Sequence, residues 1–206
     1  MGLFSIFRKR KPEEIYQSLA KKMVMSALLY AREIEAPDNK RSADAGAELL
    51  YLLLHLLERQ AFGQLGAAGR DTVCNEVSQI AVADYAGAIF KADTPQDVII
   101  DSVEQMMSTL NSRHSVYAQC DSLAGEVCPG KGTIIFVFSF YVHQALGNTD
   151  RTDVEDILIG KEELSESDDM EGFPDIVEIM NAAITVSSLL SELKMPEELK
   201  HLKSHR

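Results

Sequence analysis

One stretch of the sequence, LLYLLLHLLE at 49–58, is apolar on every side when it is wound at helical spacing. A surface helix carries its apolar residues on one face, whereas a helix that is apolar all round is buried. The sequence therefore predicts a helix from Ala43 to about Gln64 in the middle of the fold. We expect an all-α, single-domain bundle of six or seven helices around this central apolar helix.

Apolar periodicity and helix boundary residues predict the other helices. Proline stands at the start of four apolar patterns, where its missing N–H costs nothing. The predicted helices are 13–35, 70–90, 94–123, a short one at 152–160, 175–193, and a terminal turn or two from 195. The glycines of FGQLGAAG at 62–69 predict a turn between two of them. In the helix at 175–193, we expect one inward side, formed by Ile176, Ile179, Met180, Ala183, Val186 and Leu190.

The run from Thr133 to Leu146 is ambiguous between helix and strand. Its β-branched and aromatic residues favour a strand, while its length suits a buried helix. A strand needs partners for its backbone groups, and the sequence contains no second run of this kind. We therefore favour a helix.

The charge of the chain is concentrated in one segment. Of the formal net charge of −12, the stretch from Asp150 to Glu178 carries −10, with twelve acidic and two basic residues. A protein of this charge lacks the broad positive face that binds nucleic acid, so we expect no nucleic-acid partner. We divide the chain into an N-terminal arm at 1–12 and a helical domain at 13–206, with an acidic connection at about 148–173.

The N-terminal arm, MGLFSIFRKRKP, combines apolar and basic residues. Apolar side chains can enter a lipid headgroup region while cations meet anionic lipid, so we predict contact with an anionic membrane or a partner protein. The predicted contact residues are Leu3, Phe4, Ile6, Phe7, Arg8, Lys9, Arg10 and Lys11. Docking on the protein's own core, or attraction to the acidic 150–178 segment, is the alternative.

We expect a cytoplasmic protein, either free or attached to the membrane surface through the arm. Three scattered cysteines are too few for a disulfide framework and favour a reducing compartment. The longest apolar run, at 133–146, is shorter than the roughly 20 residues that a spanning helix needs. We therefore expect that no segment of the sequence spans a membrane.

The segment SDDMEGFPDIVE at 167–178 has nearly the ligand spacing of a calcium-binding loop. The candidate calcium ligands are Asp169, Glu171, Asp175 and Glu178. Ser167 stands where such loops require aspartate, and Pro174 lacks the N–H that pairs with a sister loop. A solvated acidic linker is therefore the favoured interpretation, with weak calcium binding as the alternative.

No cofactor and no catalytic residue is assigned. The segment GEVCPGKGT at 125–133 spells a variant of a phosphate-binding loop, but a helix end precedes it instead of a strand. We interpret His55 and His143 as histidines at the edge of the core, each with one hydrogen-bond partner.

These observations favour a non-enzymatic helical binding or scaffold protein that recognises another protein, and they are compatible with a homodimer. The first alternative is an enzyme or small-ligand-binding bundle whose pocket is assembled from several helices. A deep pocket ringed by His55, His143 or several carboxylates favours that alternative, whereas a flat apolar patch favours protein binding.

Overall fold

The computed structural model describes residues 10–124, 129–152, 154–161 and 172–203. Within these ranges, the chain forms helical elements joined by loops and has one isolated bridge, between Ser122 and Thr133, but no strand. The elements are α1 (Pro12–Glu33), α2 (Asn39–Ile89), α3 (Gln96–Tyr117), α4 (Ile134–Ala145), α5 (Glu155–Leu158), α6 (Ile176–Leu193) and α7 (Met195–Lys203). The predicted all-α class is confirmed.

The long element α2 is a hairpin of two antiparallel arms that meet at Gly66. This glycine has φ 69° and ψ −178°, outside the helical region. The Tyr85 hydroxyl donates to the Ala43 carbonyl at 2.7 Å across a sequence separation of 42 residues. A straight helix would hold two such residues about 63 Å apart, so the element must fold back on itself. The turn predicted at 62–69 is therefore made at a single non-helical residue, Gly66.

Three helical segments meet at Gly46, on the first arm of the α2 hairpin. A Cβ atom placed on Gly46 would lie 2.8 Å from the Ala31 Cβ and 2.9 Å from the Ala27 carbonyl oxygen, both on α1, and against the Tyr85 hydroxyl of the second arm. Because real Cβ atoms do not approach so closely, only glycine permits this packing. The hairpin and α1 are therefore held together at minimal separation.

The core is built on the first arm of α2. Every residue from Leu49 to Leu57 is buried, which is the pattern that the apolar segment predicts. The element contacts α1, α3, α4 and α7. Burial on all sides explains why this arm lacks a polar face.

The ambiguous run at 133–146 is helical, as favoured. The Thr133 side chain accepts a hydrogen bond from the Phe136 N–H at 3.3 Å and caps α4. All residues from Ile134 to Val142 are buried. A helix satisfies its own backbone groups, so it can be buried on every side without a neighbouring strand.

The stretch Ile176–Lys203 corrects the expectation that no segment is apolar and long enough to cross a membrane. In the described part of the chain it is the one stretch that passes this test of length and composition, with a mean hydropathy of 1.4 in its best 18-residue window. Of that window, 22% is buried. Lys194, with φ 49°, interrupts the helix between α6 and α7. The core helix of a soluble protein passes the same test, so no localisation follows from it.

The hairpin geometry predicts opposite effects for two neighbouring glycines. Gly66→Ala forces an L-residue into a positive-φ conformation and should lower the free energy of unfolding by about 1–3 kcal/mol. Gly63 is helical and has open space around its Cα, so Gly63→Ala should raise that free energy by about 0.5–1 kcal/mol. Urea unfolding of both variants measures these changes, and a stabilising Gly66→Ala would refute the hairpin geometry.

Candidate functional site

The outward side of α6 is an apolar surface that no described part of the chain covers. Ile176, Val177, Met180 and Ile184 are 57%, 61%, 41% and 64% exposed. Further along the helix, the same side carries three exposed serines. Exposed Asn181 borders this side. We define the α6 face as Ile176, Val177, Met180, Ile184, Ser187, Ser188 and Ser191, with Asn181 at its edge.

The α6 face differs from the predicted inward side of this helix. Ile179 and Val186 are buried as expected, but Ile176 and Met180 point away from the core. The helix is apolar on two sides, so its spacing alone does not select the buried one. The α6 face contains no charged residue, and acidic side chains lie only beside it.

Two of the four predicted calcium ligands lie in the described residues, and both are engaged at the start of α6. The Asp175 carboxylate accepts from the N–H groups of Val177 and Glu178, each at 2.8 Å. The Glu178 carboxylate accepts from the Asp175 N–H at 2.8 Å and lies 3.1 Å from His143 Nδ1. These contacts form a capping box. Asp169 and Glu171 lie outside the described residues, and calcium binding stays a prediction.

Two of the eight predicted arm residues lie in the described chain, and both contact the protein itself. The Arg10 guanidinium pairs with Glu198 on α7, which also accepts from Lys22 Nζ at 2.8 Å. Burial opposes the charge of Glu198, but Lys22 and Arg10 outweigh it and hold the pKa of this carboxyl below its usual range. The Lys11 N–H donates to Glu14 at the start of α1. Leu3, Phe4, Ile6, Phe7, Arg8 and Lys9 lie outside the described residues.

His143 lies at the rim of a groove between α1, α4 and α6, with a volume of about 530 Å³. Its Nδ1 atom is 3.1 Å from Glu178 and 3.4 Å from the Asn148 side-chain amide, so the ring has two polar neighbours where the sequence predicts one hydrogen-bond partner. Glu33 and Glu35 also line the groove. Ser139 and Thr185 line it as well, and the Ser139 hydroxyl donates to the Ile135 carbonyl at 2.8 Å. The groove therefore offers a polar binding surface.

The predicted hydrogen bond of His55 is absent among the described residues, and a cluster takes its place. His55 is 2% exposed, and neither ring nitrogen has a hydrogen-bond partner in the described chain. Glu58 Oε2 lies 3.9 Å from His55 Nδ1 and 3.2 Å from His114 Nδ1. Burial, His114 and Arg59 lower the pKa of His55 to about 3, so its imidazole is neutral at pH 7. The sequence analysis did not identify this cluster, although the His-x-x-Glu spacing at 55–58 is visible in the sequence.

A buried ion pair fixes the helix that carries His114. The Arg113 guanidinium on α3 donates to both carboxylate oxygens of Glu48 on α2, at 2.9 and 2.7 Å. The same guanidinium lies 3.4 Å from the centre of the Tyr141 ring on α4. Burial opposes the charge of Arg113, but Glu48 outweighs it and raises the pKa of the guanidinium. The pair therefore sets how α3 lies on α2, and with it the position of His114.

Comparison of the chain with known protein families, curated proteins and solved structures finds no match. The function must therefore be argued from these surfaces and side chains.

Breaking the buried ion pair should be costly. The side chains of Arg113 and Glu48 are 15% and 8% exposed, so Arg113→Leu leaves an unpaired buried carboxylate and should lower the free energy of unfolding by about 3–5 kcal/mol. The double variant with Glu48→Leu should lose less than the sum of the two single variants. Exposed Arg32 serves as control, and Arg32→Leu should change the free energy by about 0.5 kcal/mol or less. Urea unfolding measures all four, and strict additivity would contradict this account.

Proposed function

We propose that this protein is a non-enzymatic helical scaffold, and that the α6 face pairs two copies of the chain. The observation that carries the proposal is the contiguous exposure of four large apolar side chains on one side of one helix. Contiguous apolar patches on soluble proteins mark interaction surfaces, whereas single exposed apolar residues are ordinary.

The order of residues along the α6 face suits pairing with its own copy. The large side chains occupy the first half of the face, and the three serines occupy the second half. In an antiparallel pair centred on Ile184, Met180 lies opposite Ser188. Val177 then lies opposite Ser191. Large residues thus meet small ones, which lets two helices pack closely.

The charge distribution also favours this face for self-association. Each chain carries a net charge of −12, of which −10 lies at 150–178, so two copies repel each other mainly through that segment. The α6 face lets two chains touch without bringing charges into contact. Salt screens the remaining repulsion, with a Debye length of about 10 Å at 0.1 M. Self-association should therefore tighten as salt rises, whereas binding of a basic partner would weaken.

A second apolar depression, between α1 and α2, fits this role less well. Met25, Leu29 and Ile89 are half-exposed there, around a volume of about 390 Å³. Arg32 and polar side chains at the start of α2 also line it. Its apolar surface is therefore interrupted, while that of the α6 face is continuous.

Sedimentation equilibrium of the full chain tests the proposal. Because one helix per subunit makes a small interface, we expect a monomer–dimer equilibrium with a dissociation constant on the order of 10 μM. Ile184→Arg puts two cations at the centre of the pair and should weaken it at least about tenfold. Ile100→Arg is the matched control, because Ile100 is an exposed isoleucine on α3, and it should leave the dimer intact.

Two results would overturn the proposal. One is a monomer mass at every concentration up to about 1 mM. The dissociation constant would then exceed about 1 mM, which is too weak for functional association. The other is an equal effect of the two arginine variants, which would show that added charge, rather than the α6 face, controls assembly.

A further inference from the structure

We propose that His55, Glu58 and His114 form a binding site for a divalent transition metal ion of the zinc class. The proposal is independent of self-association through the α6 face. It rests on three ligand-type side chains whose donor atoms all lie within 4.8 Å of one another.

The cluster lies where α2 and α3 pack together, and on each helix two of the residues at this contact are three positions apart. His55 and Glu58 are three residues apart on α2, and His114 and Tyr117 are three residues apart on α3. Residues at this spacing share one face of a helix. The His55 ring lies 5.3 Å from the rings of both His114 and Tyr117, centre to centre. The cluster is therefore set by helix packing and not by loops.

The distances match what a metal ion requires. Donor atoms about 2.1 Å from a tetrahedral ion lie about 3.4 Å from each other. Glu58 Oε2 is 3.2 Å from His114 Nδ1 and 3.9 Å from His55 Nδ1. To bind an ion between them, the side chains would have to change these two donor–donor distances by less than 1 Å each.

The unpaired nitrogens of His55 are the second observation that points to a ligand. Buried polar atoms almost always have a hydrogen-bond partner, and each exception requires an explanation. Both nitrogens of His55 and Nε2 of His114 are buried without one in the described chain. A metal ion bound at Nδ1 of each ring would give the unpaired His55 Nδ1 its partner, and the two Nε2 atoms would keep their present surroundings.

The side chains at the cluster carry charges of both signs. Glu58 supplies one negative charge, and Arg59 contributes a positive one. Arg70 lies 3.8 Å from Glu58 and is itself paired with Asp71 at 2.7 Å, so an ion takes Glu58 from a long, shared contact. Cys74 is not one of the side chains whose donor atoms lie within 4.8 Å of one another, so it is not counted as a ligand.

The donor set selects the class of metal. Two neutral imidazoles and one carboxylate suit Zn²⁺, Co²⁺ and related ions, whereas Ca²⁺ and Mg²⁺ prefer oxygen ligands alone. The side chains of Glu58 and His114 are 29% and 21% exposed, so solvent can reach the site. Water can therefore supply the remaining ligand.

Titration of the metal-free full-length protein with Zn²⁺ in a calorimeter tests the proposal, with Co²⁺ absorption as a spectroscopic readout. We expect one high-affinity ion per chain. Glu58→Gln and His114→Gln should each weaken binding at least about 100-fold. Even residues that only hydrogen-bond to metal ligands change metal affinity about 10- to 100-fold when they are mutated, so the loss of a ligand should cost more. His143→Gln is the matched control, because His143 also pairs with a glutamate but has no third ligand-type side chain grouped with it in the described part of the chain. It should bind as the wild type does.

A second measurement does not depend on the folding of the variants. Paramagnetic Co²⁺ should shift the imidazole signals of His55 and His114 in the wild-type NMR spectrum, and leave those of His143 in place. Absence of a high-affinity ion in the wild type would overturn the proposal. So would binding that survives His114→Gln in a folded variant, or a Co²⁺ shift confined to other histidines.

Discussion

The hydrogen bond from the Tyr85 hydroxyl to the Ala43 carbonyl joins the two ends of the α2 hairpin, beside the glycine that lets α1 approach. The hairpin reverses direction at Gly66, which has a positive φ. Glycine adopts such a conformation without the steric strain that other residues would have. The apolar first arm then lies between its own second arm and the surrounding helices. Four other elements, α1, α3, α4 and α7, pack directly on α2, and α6 then packs on α1 and α4.

The hairpin also explains why the interior tolerates charge. Glu48 lies two turns before His55 on the first arm, and Arg113 precedes His114 on α3. The bidentate pair between Glu48 and Arg113 compensates both charges and aligns the two helices. With the helices so aligned, His114 faces Glu58, and its Nδ1 atom lies 3.2 Å from the Glu58 carboxylate. Stability and the candidate metal site therefore share one structural cause.

The helices were predictable from sequence because helical periodicity is a local property. The apolar segment from Leu49 predicted its own burial, and the length of the run at 133–146 favoured the helix that the structure shows there. The compact hairpin was not predictable, because Gly63, Gly66 and Gly69 are equivalent candidates for a turn until tertiary packing selects one. The α6 face was missed for a related reason, since a helix that is apolar on two sides gives no local signal for the side that is buried.

The candidate metal site was predictable only in part. His55 and Glu58 have a spacing that sequence reveals, but His114 comes from another helix, and only the packing of α3 on α2 brings it near. Surface properties such as the pairing of Arg10 with Glu198 are equally non-local, because they join the two ends of the described chain.

The most direct test of this account is a distance measurement across the α2 hairpin. Spin labels at Asp44→Cys and Asp84→Cys, both exposed positions, are introduced into a chain whose three native cysteines are replaced by alanine. Because antiparallel neighbouring helices lie about 8–10 Å apart, pulsed electron resonance should give a narrow distribution near about 20 Å. A distance near about 60 Å, as in one continuous helix, would contradict the account.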